Sequence, residues 1–193
     1  MSEKITGVVL AGGLGRRMGG TDKGLRELRG HPMVHWVIER LAPQVEELII
    51  NANQNVERYA AFGHPVVSDR ILGFAGPLAG LQAALETAAH PLVATAPCDS
   101  PFLPADLVAR LRAALDEGQA DLAVARTFDQ PHPVFCLCRR TVLPHLTDFL
   151  EGGGRRMELW YSTLNSVEVA FDDQAAAFAN INTPADLSRL AAG

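Results

Sequence analysis

The chain has 193 residues, 48% of them hydrophobic and 20% charged, which is enough for one sizeable core and too little for two, so a single domain over 1–193 is expected. A net charge of -5 argues against a surface built for nucleic acid or anionic lipid, because such surfaces need an excess of Lys and Arg. Three cysteines without a CxxC pair indicate neither a disulfide framework nor a zinc site, and fit a reducing compartment. No stretch reaches the roughly 18 apolar residues of a membrane span, and the first residues lack a signal-peptide cleavage pattern, so a soluble, cytoplasmic protein with no membrane partner is expected.

Along the chain, short β-branched runs alternate with longer amphipathic ones. Residues 5–10 read as a strand and 32–41 as a helix opened by Pro32. Residues 48–51 and 66–67 read as the second and third strands, followed by a helix over 77–89 that is rich in Ala and Leu. A strand over 92–96 precedes a helix over 104–116, whose Leu107, Leu111 and Leu115 mark a buried face at helical spacing. Residues 122–125, 134–137 and 167–171 read as later strands, and 183–186 as the start of a closing helix with Thr183 as its N-cap. The glycine run 152–154 is the most linker-like stretch. This order predicts an α/β fold: a three-layer, mostly parallel, doubly wound sheet with helices on both faces. Ligands should sit beyond the C-terminal ends of the strands.

The most informative stretch follows the first strand: Leu10-Ala11-Gly12-Gly13-Leu14-Gly15-Arg16-Arg17-Met18-Gly19-Gly20-Thr21-Asp22-Lys23-Gly24. Glycines this dense let several backbone N–H groups turn towards one ligand, and phosphate oxygens are the obvious ligand. Arg16, Arg17 and Lys23 concentrate positive charge in an otherwise acidic chain, which suits a triphosphate and a pyrophosphate leaving group. The Walker pattern is excluded because Gly20 is followed by Thr21, and the dinucleotide pattern because its third glycine position falls on Met18. A plain surface turn does not call for three cations.

Asp99 follows the strand over 92–96 and should emerge at the edge where the glycine loop emerges. Triphosphate chemistry needs a hard cation to bridge phosphate oxygens, and Mg2+ takes one or two carboxylates with phosphates and waters. An alternative stays open from the residues alone: Asp99 caps a helix starting near Pro101. Asn51 and Asp69 are equally readable as turn residues at strand ends. Arg155 and Arg156, after three glycines, offer either a second anion site or a solvated basic turn. His132, between Pro131 and Pro133, reads as part of a stiff loop or as an acceptor contact, and Cys136 with Cys138 as small core thiols on one strand face.

The run LAGGLGRRMGGTDKGL resembles the signature of molybdenum cofactor guanylyltransferases, within a superfamily that shares LxAGGxxxRMG and a downstream lysine. The resemblance covers nearly the whole chain, through Asn51-Ala52-Asn53, Gly76-Pro77-Leu78-Ala79-Gly80, Pro97-Cys98-Asp99-Ser100-Pro101-Phe102 and Asn180-Ile181-Asn182-Thr183-Pro184. It departs locally at Phe128-Asp129-Gln130-Pro131. It implies a Rossmann-like nucleotidyltransferase fold and transfer of GMP from GTP to the terminal phosphate of molybdopterin or molybdenum-molybdopterin, with Mg2+ as cofactor. The GTP-binding set it implies, with the loop glycines, is Leu10, Ala11, Gly12, Gly13, Gly15, Lys23, Asn51, Asp69 and Asp99, with Asp99 as the metal ligand. Arg17 and Lys23 would neutralise charge with it, and Arg155, Arg156, Asn180 and Asn182 are the acceptor candidates. Docking with other cofactor-pathway proteins and recipient molybdoenzymes is implied as well, on a chain expected to be monomeric. Two rivals stand beside this: a sister transferase using CTP on a pterin, sugar or isoprenoid phosphate, and a silent nucleotide-binding module.

Overall fold

A computed structural model describes residues 3–13, 22–73, 75–181 and 185–186. The chain order is β1 (Ile5–Leu10), β2 (Glu27–Leu28), β3 (His31–Pro32), α1 (Met33–Leu41), β4 (Glu47–Asn51), α2 (Val56–Ala60), β5 (Val66–Val67), α3 (Pro77–Thr87), β6 (Leu92–Pro97), α4 (Leu107–Glu117), β7 (Leu122–Thr127), β8 (Gln130–Arg139), α5 (Leu143–Glu151), α6 (Met157–Tyr161) and β9 (Ser166–Ala170). Every residue of β1 is buried, which is why its sequence is a near-continuous apolar run without polar alternation.

The main sheet has seven strands in the order β5-β4-β1-β6-β8-β7-β9. Neighbours are parallel except β8, which runs antiparallel to both β6 and β7. Alternation along β1 sends Ile5 and Val9 into one core and Val8 and Leu10 into the other. On the first face, Val34, Val37 and Leu41 of α1 join Leu107, Leu111 and Leu115 of α4; on the second, Leu78, Leu81 and Leu85 of α3 join Leu146 and Leu150 of α5 and Trp160 of α6. The expected three-layer, mostly parallel architecture is therefore the one observed. Cys136 and Cys138 share the second core, and burial pushes the Cys136 thiol up to about 11, as befits packing residues. No helix among the described residues is long and apolar enough to cross a membrane.

Several local expectations need correction. Pro32 does not open α1: its extended backbone, φ -55° and ψ 143°, completes the small β2–β3 ribbon and the helix starts at Met33. The helix expected from 104 starts at Leu107 instead. The strand expected over 134–137 runs from Gln130 to Arg139, so His132 belongs to a strand and not to a loop. Its two prolines conceal it, because proline in a run normally demotes a strand. Here they lie where β8 outruns β6, which pairs only with residues 136 to 139. The glycines at 152–154 are not a linker: all three donate N–H groups to the last turns of α5, at 2.9 to 3.0 Å. Ala185 and Asp186 are helical, while Thr183 lies outside the described residues.

Candidate active site

Because β4, β1 and β6 run parallel and adjacent, their ends Asn51, Leu10 and Pro97 come level on one sheet edge. The chain continues from each by hydrogen bonding to its neighbour: Ala11 N–H donates to Asn51 O at 2.8 Å and Cys98 N–H to Leu10 O at 3.1 Å. Asp99 and the turn Ala11–Gly12–Gly13 therefore leave the sheet side by side. A cleft of about 720 Å³ opens over this edge, lined by Leu10, Ala11, Gly12, Gly13, Lys23, Asn51 and Asp99 among others. That volume is in the usual range of about 300–1,000 Å³ for small-molecule sites. Gly15, Arg16, Arg17 and Asn182 lie outside the described residues.

Asp99 is 9% exposed. Burial raises its carboxyl above the ordinary carboxylate range, and the Lys23 ammonium, whose Nζ stands 3.4 Å from Oδ2, pulls it back. A buried carboxylate of this kind calls for a cation. The capping alternative fails, since residues 98–102 form turns and α4 begins only at Leu107, after Asp106. Lys23 opens a short 3-10 turn capped by Asp22, whose carboxylate accepts from Gly24 N–H at 3.2 Å, from Asn55 Nδ2 at 3.1 Å and from the Tyr59 hydroxyl. Tyr59 is fully buried and burial keeps its phenol protonated. Asp22 and Tyr59 were not legible as site residues, because the contact between them spans 37 residues.

Asn51 is 2% exposed. Its Nδ2 donates to Val67 O at 3.2 Å and to Asp69 Oδ1 at 2.8 Å. Asn53, two residues on, donates to Gly12 O at 3.1 Å and to Asp69 Oδ2 at 2.9 Å, and its Oδ1 accepts from Asp69 N–H at 2.8 Å. Asp69 thus holds two amides and does not itself line the cleft. Asn53 stood within a motif but outside the expected site set; the Asn-x-Asn spacing at a strand end was its signal. Helix α3 comes so close that a β-carbon at Gly80 would collide with Asn51 Oδ1 and displace that side chain. Gly76, at φ 85°, turns the chain into that helix ahead of Pro77.

Asn180 lines the cleft and accepts from Ser100 Oγ at 2.6 Å, while Ile181 N–H donates to Asp99 O at 2.9 Å. Arg155 and Arg156 are not brought into the cleft. Arg155 donates to Leu150 O and Gly154 O and borders a shallow recess that shares Gly76 with the cleft; Arg156 is exposed, 3.9 Å from Glu158. Gln130 to Phe135 of β8 and Glu158 of α6 complete the lining.

A parallel sheet whose central edge carries a glycine turn, a lysine and a buried carboxylate in one cleft defines a Rossmann-like transferase of nucleotides. The MobA-like NTP transferase domain matches residues 7–165. A molybdenum cofactor guanylyltransferase of Cupriavidus necator is 55% identical over 186 residues, 94% of this chain and 93% of that one. One of Cupriavidus pinatubonensis is 52% identical over 196 residues, 99% and 98% of the two chains. The crystal structure of molybdopterin-guanine dinucleotide biosynthesis protein A from Archaeoglobus fulgidus superposes with a TM-score of 0.82 at 26% identity, covering 97% of each chain. The chain belongs to the molybdenum cofactor guanylyltransferases, a family of nucleotidyltransferase enzymes with the MobA-like domain.

Proposed function

We propose that this chain transfers the GMP part of GTP to the terminal phosphate of molybdopterin, releasing pyrophosphate. The observation that carries the reading is the meeting of Gly12, Gly13, Lys23 and Asp99 in one cleft, with Lys23 and Asp99 3.4 Å apart. An acceptor phosphate oxygen attacks the α-phosphorus and the bond to pyrophosphate breaks. A phosphate monoester has a second pKa of about 6, so near neutral pH the nucleophile needs no strong general base. The protein's task is alignment and charge neutralisation.

The N–H groups of the glycine turn and the Lys23 ammonium receive the triphosphate oxygens, and Arg17 is proposed to join them from the loop. Asp99 would hold a divalent cation, Mg2+ in this reading. Phosphate oxygens and waters would complete the shell of such a cation beside Asp99. Held there, it would supply positive charge to offset that on the leaving pyrophosphate. Guanine presents two donors, N1–H and its amine, and so needs acceptors. Asp69 contributes by fixing Asn51 and Asn53 against the Gly12 backbone. Asn180, tied to Ser100 beside Asp99, is proposed on the acceptor path, and Arg155 as a phosphate contact at its rim.

The test is a nucleotide panel with molybdopterin and Mg2+, read as pyrophosphate release and dinucleotide product. GTP should be preferred by at least tenfold in kcat/KM; equal use of CTP would replace the guanylyl reading with its cytidylyl rival.

A further inference from the structure

Strand β8 has a feature that the nucleotide half of the reaction does not use. Opposite β7, Val124 faces Cys136 and the next residue, Ala125, faces His132, so Pro133, Val134 and Phe135 are looped out against a single peptide step. Bulges re-aim side chains and gather beside active sites. This one is held in place: the Thr95 hydroxyl of β6 donates to the Val134 carbonyl at 2.6 Å, and the prolines have no N–H to leave unpaired. The bulge puts Pro131 to Phe135 into the cleft. In the sheet order, β6 with Asp99 separates β8 from β1 with its glycine turn. The cleft therefore has two sides with Asp99 between them.

His132 is the most constrained polar group on the β8 side. Its Nε2 is 2.7 Å from Thr127 Oγ1, its ring stacks on Phe178 at 5.0 Å and 20°, and Phe135 meets it edge-on at 6.3 Å. Burial lowers its pKa, favouring the neutral ring. Nδ1 has no hydrogen-bond partner among the described residues. Among the described residues, the other polar groups lining this side, Gln130, Glu158 and Asn180, include no cation, so this side suits an uncharged polar heterocycle better than a phosphate.

We propose that His132 binds the acceptor, its Nδ1 hydrogen bonding to the polar edge of the acceptor's heterocycle on the β8 side of Asp99, with Thr127 as the positioning residue that fixes the imidazole. This rests on the transfer reaction proposed above, with molybdopterin as the acceptor.

His132→Phe keeps a ring on Phe178 and removes the nitrogens. With GTP and molybdopterin varied separately, this variant should raise the KM for molybdopterin about tenfold, the loss of one buried hydrogen bond, and leave the KM for GTP within about twofold. Thr127→Val should raise the molybdopterin KM about threefold, again without moving the GTP value. An unchanged molybdopterin KM in His132→Phe, or equal rises for both substrates, overturns the assignment. Should His132→Phe fail to bind GTP at all, Thr127→Val decides: a selective rise supports the role, and no rise overturns it. A wild-type protein that binds GTP yet makes no dinucleotide from molybdopterin overturns the transfer reaction itself, and this assignment with it.

Discussion

The two sides of the cleft are built by different means. On the β1 and β4 side, parallel strand ends stand level, and a chain of hydrogen bonds from Gly12 through Asn53 and Asp69 to Asn51 fixes the backbone that faces the ligand. On the β8 side, an antiparallel strand with two prolines loses register and is held by one hydroxyl from β6. Regular strand ends suit a ligand recognised through backbone N–H groups, such as a phosphate chain. An irregular strand suits a ligand recognised by a few placed side chains.

Four substitutions on the first side and at its border test this contrast. The largest effect is expected where the sides meet. Asp99→Ala should lower kcat by about a thousandfold or more, and Lys23→Ala by about a hundredfold, the scale of losing a preorganised electrostatic contact. Circular dichroism and Tm of Asp99→Ala should stay near wild type, because a buried carboxylate raised above its ordinary range is no asset to the empty fold. Asp69→Ala comes next: it strands the Asn51 and Asn53 amides, costing about 1–3 kcal/mol and a Tm drop of about 2–10 °C, with the KM for GTP raised about tenfold. Gly80→Ala is the mildest. Its methyl would collide with Asn51 Oδ1, and a loss of about 1–2 kcal/mol from overpacking is partly offset by about 1 kcal/mol of helix propensity. A GTP KM raised about threefold, measured by steady-state kinetics, is the expected readout.

Legibility in the sequence divided along the same line. The strands of β1, β4, β5 and β6, the buried face of α4, and the convergence of Asp99 with the glycine turn follow from periodicity and from right-handed parallel connections. Contiguous motifs carried Gly12, Lys23 and Asn51. On the β8 side only 134–137 read as strand and His132 stood between two readings, because Pro131 and Pro133 mask strand pattern and a register jump is a property of two strands together. Helices α2 and α6 are too short, at five residues each, for periodicity to separate them from loops. The grip of Tyr59 on Asp22 is set by packing across the fold and leaves no local mark.

In the proposed reaction Asp99 holds a divalent ion on a triphosphate gripped by the glycine turn and Lys23. Titrating GTP by calorimetry with and without Mg2+, in the wild type and in Asp99→Asn, tests it most directly. Mg2+ should tighten GTP binding to the wild type by about tenfold or more and do nothing for the variant. An equal gain from Mg2+ in both proteins would contradict the claim.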